Sequence, residues 1–231
     1  MPYLFYDTSS LVILLPALIL SFYAQYKVQN TYSRFLKVGN YGGYTGAEVA
    51  RRILDSQGLE DISVNRVGGY LSDHYDPRRK VIRLSEQVYN GRSIASIGVA
   101  AHEAGHAIQH ARGYTPLSIR NAIVPIASFA SQAAFIFIFL GLFLGAGTML
   151  VDVGILLFAA VVAFQLITLP VEFNASSRAV ELLSGQGFVT GSEETSVRKV
   201  LNAAALTYVA AAASAIAQLL RLLMLRGRRR D

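Results

Sequence analysis

The stretch around which the chain is organised is VAAHEAGHAIQH, residues 99–110. His102 and His106 are four residues apart, so on a helix they lie one turn above each other and both imidazoles can reach one metal ion. Glu103 lies about 100° around the helix from His102, close enough to contact water at the metal without being a ligand. This spacing predicts a Zn²⁺ site with a carboxylate base beside it.

The same stretch predicts a chemistry and a helix to carry it. Zinc would acidify water and polarise a carbonyl group, and Glu103 could take the proton of the attacking water and return it to a leaving amine. Ser93 is the predicted N-cap of the helix, and Gly113 followed by Pro116 is predicted to end it. Hydrolysis of a peptide bond is the expected reaction.

The composition predicts a membrane protein. Of 231 residues, 53% are hydrophobic and only 16% are charged. The chain contains no cysteine, so the metal must be bound by histidine and carboxylate groups. The net charge of +6 could indicate nucleic acid, but no basic patch with interleaved aromatic residues is present and several arginines flank apolar segments. We therefore expect contact with a lipid bilayer and not with nucleic acid.

Four apolar runs are long enough to cross a membrane or to lie in it, at residues 9–26, 122–144, 149–169 and 203–220. The second and third runs are linked by residues 145–148, GAGT, which predicts an antiparallel hairpin. No Lys or Arg precedes the first run, which favours an uncleaved anchor with its N-terminus outside.

The polar region at residues 27–93 predicts a small mixed region of helix and strand. Thr45 and Glu48 form a capping box for a short helix. Residues 62–67 alternate like a strand, and residues 80–84 are a second candidate strand after a turn at 75–79. An edge of this sheet could bind an extended peptide substrate by main-chain hydrogen bonds.

Pro170 is predicted to end the third run, and a separate helix is predicted to follow it. The fold class is therefore a mostly α membrane protein with about four transmembrane or membrane-associated helices and a small α+β catalytic region. Five regions are expected: an N-terminal transmembrane anchor at 1–26, a cytosol-facing α+β region with the metal helix at 27–120, a transmembrane hairpin at 121–170, a third-ligand helix at 171–191, and a C-terminal membrane-associated helix with a basic tail at 192–231.

A catalytic zinc site usually has three protein ligands, so a third must come from elsewhere. Glu172 follows the third run, and the hairpin returns the chain there to the side of the metal helix. His110 lies about 12 Å along the axis from His102, too far to share one tetrahedral ion with it. His74 could orient substrate or ligand, and Asp152 fits only if the metal lies within the bilayer. The residues alone leave the third ligand open.

Two motifs together resemble known families. HEAGH at 102–106, followed after the hairpin by EFNASSRA at 172–179, looks like the membrane zinc metalloproteases of the HtpX type. With DHYDPR at 73–78, nearly the whole chain is similar to the YugP-like neutral zinc metallopeptidases. HtpX-type enzymes usually carry an aspartate four residues after the ligand glutamate, where this chain has Ser176.

This resemblance implies a zinc metalloendopeptidase with a gluzincin-like catalytic region. By the same resemblance, the expected substrates are polypeptides, membrane proteins among them. By the resemblance, Glu103 is the general base and the zinc ligands are His102, His106 and Glu172. His74, Tyr75 and Arg178 are candidates for the donor that stabilises the oxyanion.

Two alternatives remain. HEAGH followed by Gly113 also looks like the intramembrane site-2 proteases, whose third ligand is an aspartate in a later span, although LVDVG at 150–154 matches their motif poorly. The other alternative is a scaffold in which zinc only holds helices together.

The basic residues predict a multi-pass cell-membrane protein with its active site in the cytoplasm. The metal side carries Lys27, Arg34, Lys37, Arg112, Arg120, Arg178, Arg198 and Lys199, and the hairpin turn carries none. The basic residues 226–230 disagree if the last helix crosses the membrane fully.

Overall fold

The computed structural model describes residues 8–143 and 148–227. The elements follow in the order α1 (Thr8–Phe35), α2 (Gly46–Ser56), β1 (Ser63–Val67), β2 (His74–Asp76), β3 (Val81–Ser85), α3 (Glu86–Tyr89), α4 (Ile94–Ala111), α5 (Thr115–Phe143), α6 (Thr148–Gly185) and α7 (Ser192–Gly227). The predicted fold class, mostly helical with a small sheet, is confirmed.

The helices α1, α5, α6 and α7 are the four that are long and apolar enough to cross a membrane. The chain divides into two compact units. The membrane unit contains the described residues up to Ala24, Ile119–Leu169, and those from Thr207 onward. The site unit contains Gln25–Ser118 and Pro170–Leu206.

In the membrane unit, small residues bring α5 and α6 together. A Cβ on Gly154 would lie 3.1 Å from the carbonyl oxygen of Ala134, and one on Gly141 would lie 3.0 Å from the backbone nitrogen of Val151. These contacts run in opposite directions along the two helices, as the predicted antiparallel hairpin requires. Its predicted link at 145–148 lies, but for Thr148, outside the described residues.

Large apolar side chains cover the outside of the membrane unit. Phe22, Phe135 and Leu156 are 69%, 74% and 73% exposed. A soluble protein rarely leaves so many large apolar groups uncovered, whereas lipid tails solvate them well. At one end of this unit Arg226 of α7 donates to Asp152 of α6 over 2.8 Å, so the end of α7 lies beside the start of α6.

In the site unit, α2, α4 and the sheet share one apolar core. Fully buried side chains include Ile53 of α2, Ile82 of β3 and Ile97 of α4. The predicted capping box starts α2: Glu48 N–H donates to the Thr45 hydroxyl over 3.2 Å, and Thr45 N–H donates to the Glu48 carboxylate over 2.8 Å. Packing in this core fixes the position of α4 against α2 and the sheet.

The sheet has the strand order β1-β3-β2. The two strands expected from the sequence are present as β1 and β3, but they pair in parallel rather than as neighbours in a hairpin. The turn expected at 75–79 begins instead with β2, which pairs antiparallel with β3. Asp76 still makes the turn that follows, since its carboxylate accepts from the backbone N–H groups of Arg78 and Arg79.

The helix break expected at Pro170 is absent, because α6 continues through this residue to Gly185. Two residues earlier in the same helix, the Thr168 hydroxyl donates to the carbonyl oxygen of Phe164 over 2.8 Å. Long apolar helices tolerate proline when neighbouring groups make up for the missing backbone hydrogen bond. The residues expected in a separate third-ligand helix therefore belong to α6.

Candidate metal centre

Helix α4 carries the two histidines of the predicted site. Its N-cap is Ser93 as expected, since the hydroxyl accepts from the backbone N–H of Ser96 over 3.1 Å. One turn separates His102 from His106, and their imidazole rings meet edge to face with centroids 4.7 Å apart. Their side chains are only 15% and 12% exposed.

Helix α6 brings Glu172 to these histidines. Its side chain is 3% exposed, and its Oε2 atom lies 3.3 Å from Nε2 of His102 and 3.4 Å from Nε2 of His106. Among the described residues, His102, His106 and Glu172 form the one group of three or more His, Asp or Glu whose donor atoms lie within 4.8 Å of one another. These three residues could hold a metal ion.

The donor atoms fit zinc. Two ligands of a tetrahedral zinc ion, each about 2.0–2.1 Å from the metal, are about 3.3–3.4 Å apart. The two distances from Glu172 to the histidines, 3.3 and 3.4 Å, match that edge length. Two imidazole nitrogens and one carboxylate oxygen also make up a common catalytic zinc set, which leaves a fourth position open.

A glycine inside the motif lets the two helices approach. A Cβ on Gly105 would lie 2.8 Å from the carbonyl oxygen of Ala175 and 3.3 Å from its Cα. No real Cβ comes so close to a backbone oxygen without a shift of the backbone. The absence of a side chain at Gly105 is therefore what allows α6 to place Glu172 over the histidines.

Gln109 fixes the orientation of His106. The amide nitrogen of Gln109 donates to the carbonyl oxygen of Val171 over 2.8 Å and to Oδ1 of Asn174 over 3.0 Å. Both amide hydrogens are thus used, so its Oε1 must accept from Nδ1–H of His106, 2.9 Å away. Because Nδ1 carries the proton, Nε2 of His106 keeps its lone pair, and Nε2 is the atom that faces Glu172.

Ser176 makes the corresponding contact with the other histidine, His102. Its hydroxyl oxygen lies 3.2 Å from Nδ1 of His102. A hydroxyl that accepts from Nδ1–H keeps the Nε2 lone pair of His102 free, as an aspartate at this position would. The resemblance to the HtpX-type enzymes singled out this position, but a serine there did not by itself predict a contact with His102.

The electrostatics of the group favour a cation. Burial acts to lower the pKa of His106, but the hydrogen bond that its imidazole donates to the Glu172 carboxylate and the negative charges of Glu103 and Glu172 outweigh it and raise the pKa above its ordinary value. Glu103 itself is 8% exposed and does not belong to the donor group. It therefore adds negative charge next to the group without being part of it.

The other candidates lie elsewhere. His110 is exposed, and its Nδ1 lies 3.0 Å from the hydroxyl of Tyr75. Burial, then the charges of Asp61 and Asp76, raise the pKa of Tyr75 to about 12, so this phenol stays protonated at neutral pH. His74 is exposed, with Nδ1 lying 2.8 Å from the carbonyl oxygen of Ser72.

Two further candidates, Arg178 and Asp152, contact residues outside the donor group. Arg178 donates from Nε to Oδ1 of Asn174 over 2.8 Å, so it extends the Gln109 network. Asp152 belongs to the membrane unit, where it pairs with Arg226. Neither is in the donor group.

Fold and donor set together define a class: a mostly helical protein with four helices suited to a membrane and a buried His, His, Glu group that could hold zinc. The chain matches, over residues 10–227, the model of the family described as "putative neutral zinc metallopeptidase", and it belongs to that family.

A relative in Bacillus subtilis (strain 168), named "Putative membrane protease YugP", is 54% identical over 209 residues, which cover 90% of this chain and 92% of the relative. The resemblance to the YugP-like neutral zinc metallopeptidases is confirmed. No solved structure matches the chain.

Proposed function

We propose that the chain is a membrane-bound zinc endopeptidase in which His102, His106 and Glu172 are the zinc ligands and Glu103 is the general base. The observation that carries the proposal is the distance of Glu172 Oε2 from the two imidazole Nε2 atoms, 3.3 and 3.4 Å, which matches the spacing of zinc ligands, together with the buried Glu103 carboxylate directly after His102. The family to which the chain belongs supports the metal and the reaction class.

The residues of the chain have separate tasks in this proposal. Bound zinc supplies Lewis acidity, which acidifies water and polarises the scissile carbonyl group. The Glu103 carboxylate accepts the proton of the attacking water and later delivers it to the leaving amine nitrogen. Gln109 and Ser176 hold the Nδ1 protons of the two histidines, so each imidazole keeps the tautomer that its role requires.

The substrate strand would bind along β2. This strand is at the edge of the sheet and packs against α4, and Tyr75 ties the two together through His110. An extended peptide could therefore add to the free edge of β2 by main-chain hydrogen bonds and lie along the metal helix. Main-chain binding of this kind accepts many sequences, as suits a protease with varied polypeptide substrates.

The position of Asp152 weighs against the intramembrane site-2 alternative. That mechanism needs Asp152 at the metal, but this carboxylate pairs with Arg226, and Glu172 has the position beside the histidines. A carboxylate paired with an arginine in this way is satisfied without a metal.

Replacement of Glu103 by Gln separates the enzyme from a zinc-stabilised scaffold. We expect Glu103→Gln to retain zinc and lose proteolysis by roughly two orders of magnitude or more, because only the proton carrier is removed. The measurement is cleavage of an unfolded protein substrate together with zinc content, in detergent. Glu60→Gln, at an exposed glutamate in the turn between α2 and β1, is the control and should cleave normally. Unchanged cleavage by Glu103→Gln would exclude the catalytic role.

The basic residues support a cytoplasmic active site. Seven of the eight cations counted on the metal side lie in the site unit, namely Lys27, Arg34, Lys37, Arg112, Arg178, Arg198 and Lys199. Among the basic residues 226–230, which argue for the opposite orientation, Arg226 is paired with Asp152. Positive residues then favour the metal side in the cytoplasm.

A further inference from the structure

A basic cleft lies in the site unit, and none of its lining residues belongs to the donor group. A cleft of about 320 Å³ opens between the second half of α1 and the first half of α7. Its volume is roughly ten times that of one water molecule in the liquid, so it has room for a polyatomic group. Lys27 and Arg34 line it from α1, and Lys199 lines it from α7.

The lining of this cleft is basic. Besides the three cations, Asn30 and Asn202 present amide groups, and no acidic residue is among the described residues that line it. The α1 residues Lys27, Asn30 and Arg34 recur at the spacing of one helix face. Two amide groups and three positive charges therefore line the same cleft.

Two of the cations have no acidic partner. Neither Arg34 nor Lys199 makes an ion pair with any residue in the parts of the chain that the structure describes, whereas the neighbouring Arg198 pairs with Glu194 over 2.8 Å. The Arg34 guanidinium lies over the Phe35 ring, 5.6 Å from its centroid, which keeps it at the cleft. Cations that repel one another across a hollow are stabilised when an anion binds between them.

The position of the cleft along both helices indicates which anion. In α1, Lys27 follows directly after the apolar run that ends at Tyr26. In α7, Asn202 directly precedes the apolar run that begins at Ala203. Both helices thus change from apolar to basic at the cleft, which is where a membrane helix meets the phosphate groups of lipids.

We infer that this cleft binds the phosphate of an anionic phospholipid headgroup. Lys27, Arg34 and Lys199 contact the phosphate oxygens, and the two asparagine amides donate to the same group or to the glycerol oxygens. The inference concerns a lipid site distinct from the peptidase centre, and it holds whether or not the chain cleaves peptides.

The test uses the full chain in a neutral detergent and the double variant R34Q/K199Q. Three probes are titrated: dihexanoyl phosphatidylglycerol, dihexanoyl phosphatidylcholine and inorganic phosphate, with binding read by native mass spectrometry. The wild type should bind the anionic lipid roughly tenfold or more tightly than the zwitterionic one, and the double variant should lose most of that preference. Inorganic phosphate at the same concentrations should not displace the lipid.

The control is R66Q/K80Q, which removes the same charge from two exposed residues of the site unit that lie outside the cleft. It should keep the lipid preference of the wild type. If both double variants lost the preference for the anionic lipid equally, that preference would come from the overall positive charge of the chain, and the proposed site would be overturned. Equal binding of both lipids would overturn it too, and displacement by inorganic phosphate would assign the cleft to a soluble anion instead. Should R34Q/K199Q elute as an aggregate, the single variants K199Q and K80Q decide the question in the same way.

Discussion

Glu172 is the residue whose removal distinguishes the proposed surface zinc site from one inside the bilayer. We expect Glu172→Ala to lower zinc per chain by roughly tenfold or more, because one of three protein ligands is lost. Asp152→Ala should keep its zinc, since that carboxylate pairs with Arg226. The measurement is metal analysis of wild type and both variants, purified side by side in detergent. Zinc loss in Asp152→Ala alone would revive the site-2 alternative.

Gln109 should affect zinc affinity through His106, without being a ligand itself. Gln109→Ala removes the acceptor for Nδ1–H of His106, so the ring can turn or change tautomer. We expect zinc affinity to fall by roughly 10–100-fold, measured by competition with a chromophoric chelator. Gln29→Ala, at an exposed position of α1, should bind zinc like the wild type. An unchanged affinity in Gln109→Ala would show that the helices alone orient His106.

At this scale the sequence predicted part of the site. The spacing of His102 and His106 predicted both donors and the neighbouring carboxylate, because helical periodicity alone puts them together. Glu172 was one of four candidates by residue chemistry, and only the family resemblance selected it. Gln109 was missed, and Ser176 was noted only as the position of the usual HtpX-type aspartate, since the contacts of both depend on where a helix more than 60 residues away lies.

The packing of α4 on α6 is the element-scale feature on which the donor group depends. We expect Gly105→Ala to destabilise the fold by about 1–3 kcal/mol and to lower zinc content, because its Cβ would meet the backbone of Ala175. Gly98→Ala is the control on the same helix. Its Cβ would lie 3.4 Å from a methyl group of Val197, an ordinary contact, so it should be neutral or stabilising by up to about 1 kcal/mol.

Thermal unfolding and metal analysis of the two glycine variants test this directly. Equal stability of Gly105→Ala and wild type would mean that the helices can separate without loss, and the close approach would then have no part in assembling the site. The comparison is sharp because both changes add the same methyl group to one helix.

Local signals predicted where the elements of the site unit begin, but not how they pair. The capping box of Thr45 and Glu48 and the N-cap at Ser93 were correct, since each depends on contacts within three residues. The direction of β1 against β3 was not predictable, because it depends on β2, which has only three residues in a segment rich in turn formers. The continuation of α6 through Pro170 was missed for a similar reason, as groups around a proline decide whether the helix breaks there.

For the whole molecule, the sidedness of the membrane unit can be tested without removing any native thiol, because the chain has no cysteine. We expect Tyr41→Cys, at a side chain that is 96% exposed in the site unit, to react with a membrane-impermeant maleimide only after cell lysis. Met149→Cys, 76% exposed at the start of α6, should react in intact cells. These outcomes follow if the basic side of the chain is cytoplasmic. Labelling of Tyr41→Cys in intact cells would reverse the orientation.

The composition and the four apolar runs were enough to predict the class of the whole molecule. They did not predict that α7 would extend to the start of α6, because the sequence showed Asp152 and Arg226 only as isolated charges. Their contact explains why a basic residue lies at that end of α7.

Because the donor group is divided between α4 and α6, its residues are translated at different times. The ribosome makes His102 and His106 before either span of the hairpin, and it makes Glu172 after both. A nascent chain that has not been translated as far as Glu172 lacks one of the three donors. A complete zinc site therefore cannot exist on a chain whose hairpin has not yet been translated, so during biosynthesis the proposed activity can arise only after both spans have been made.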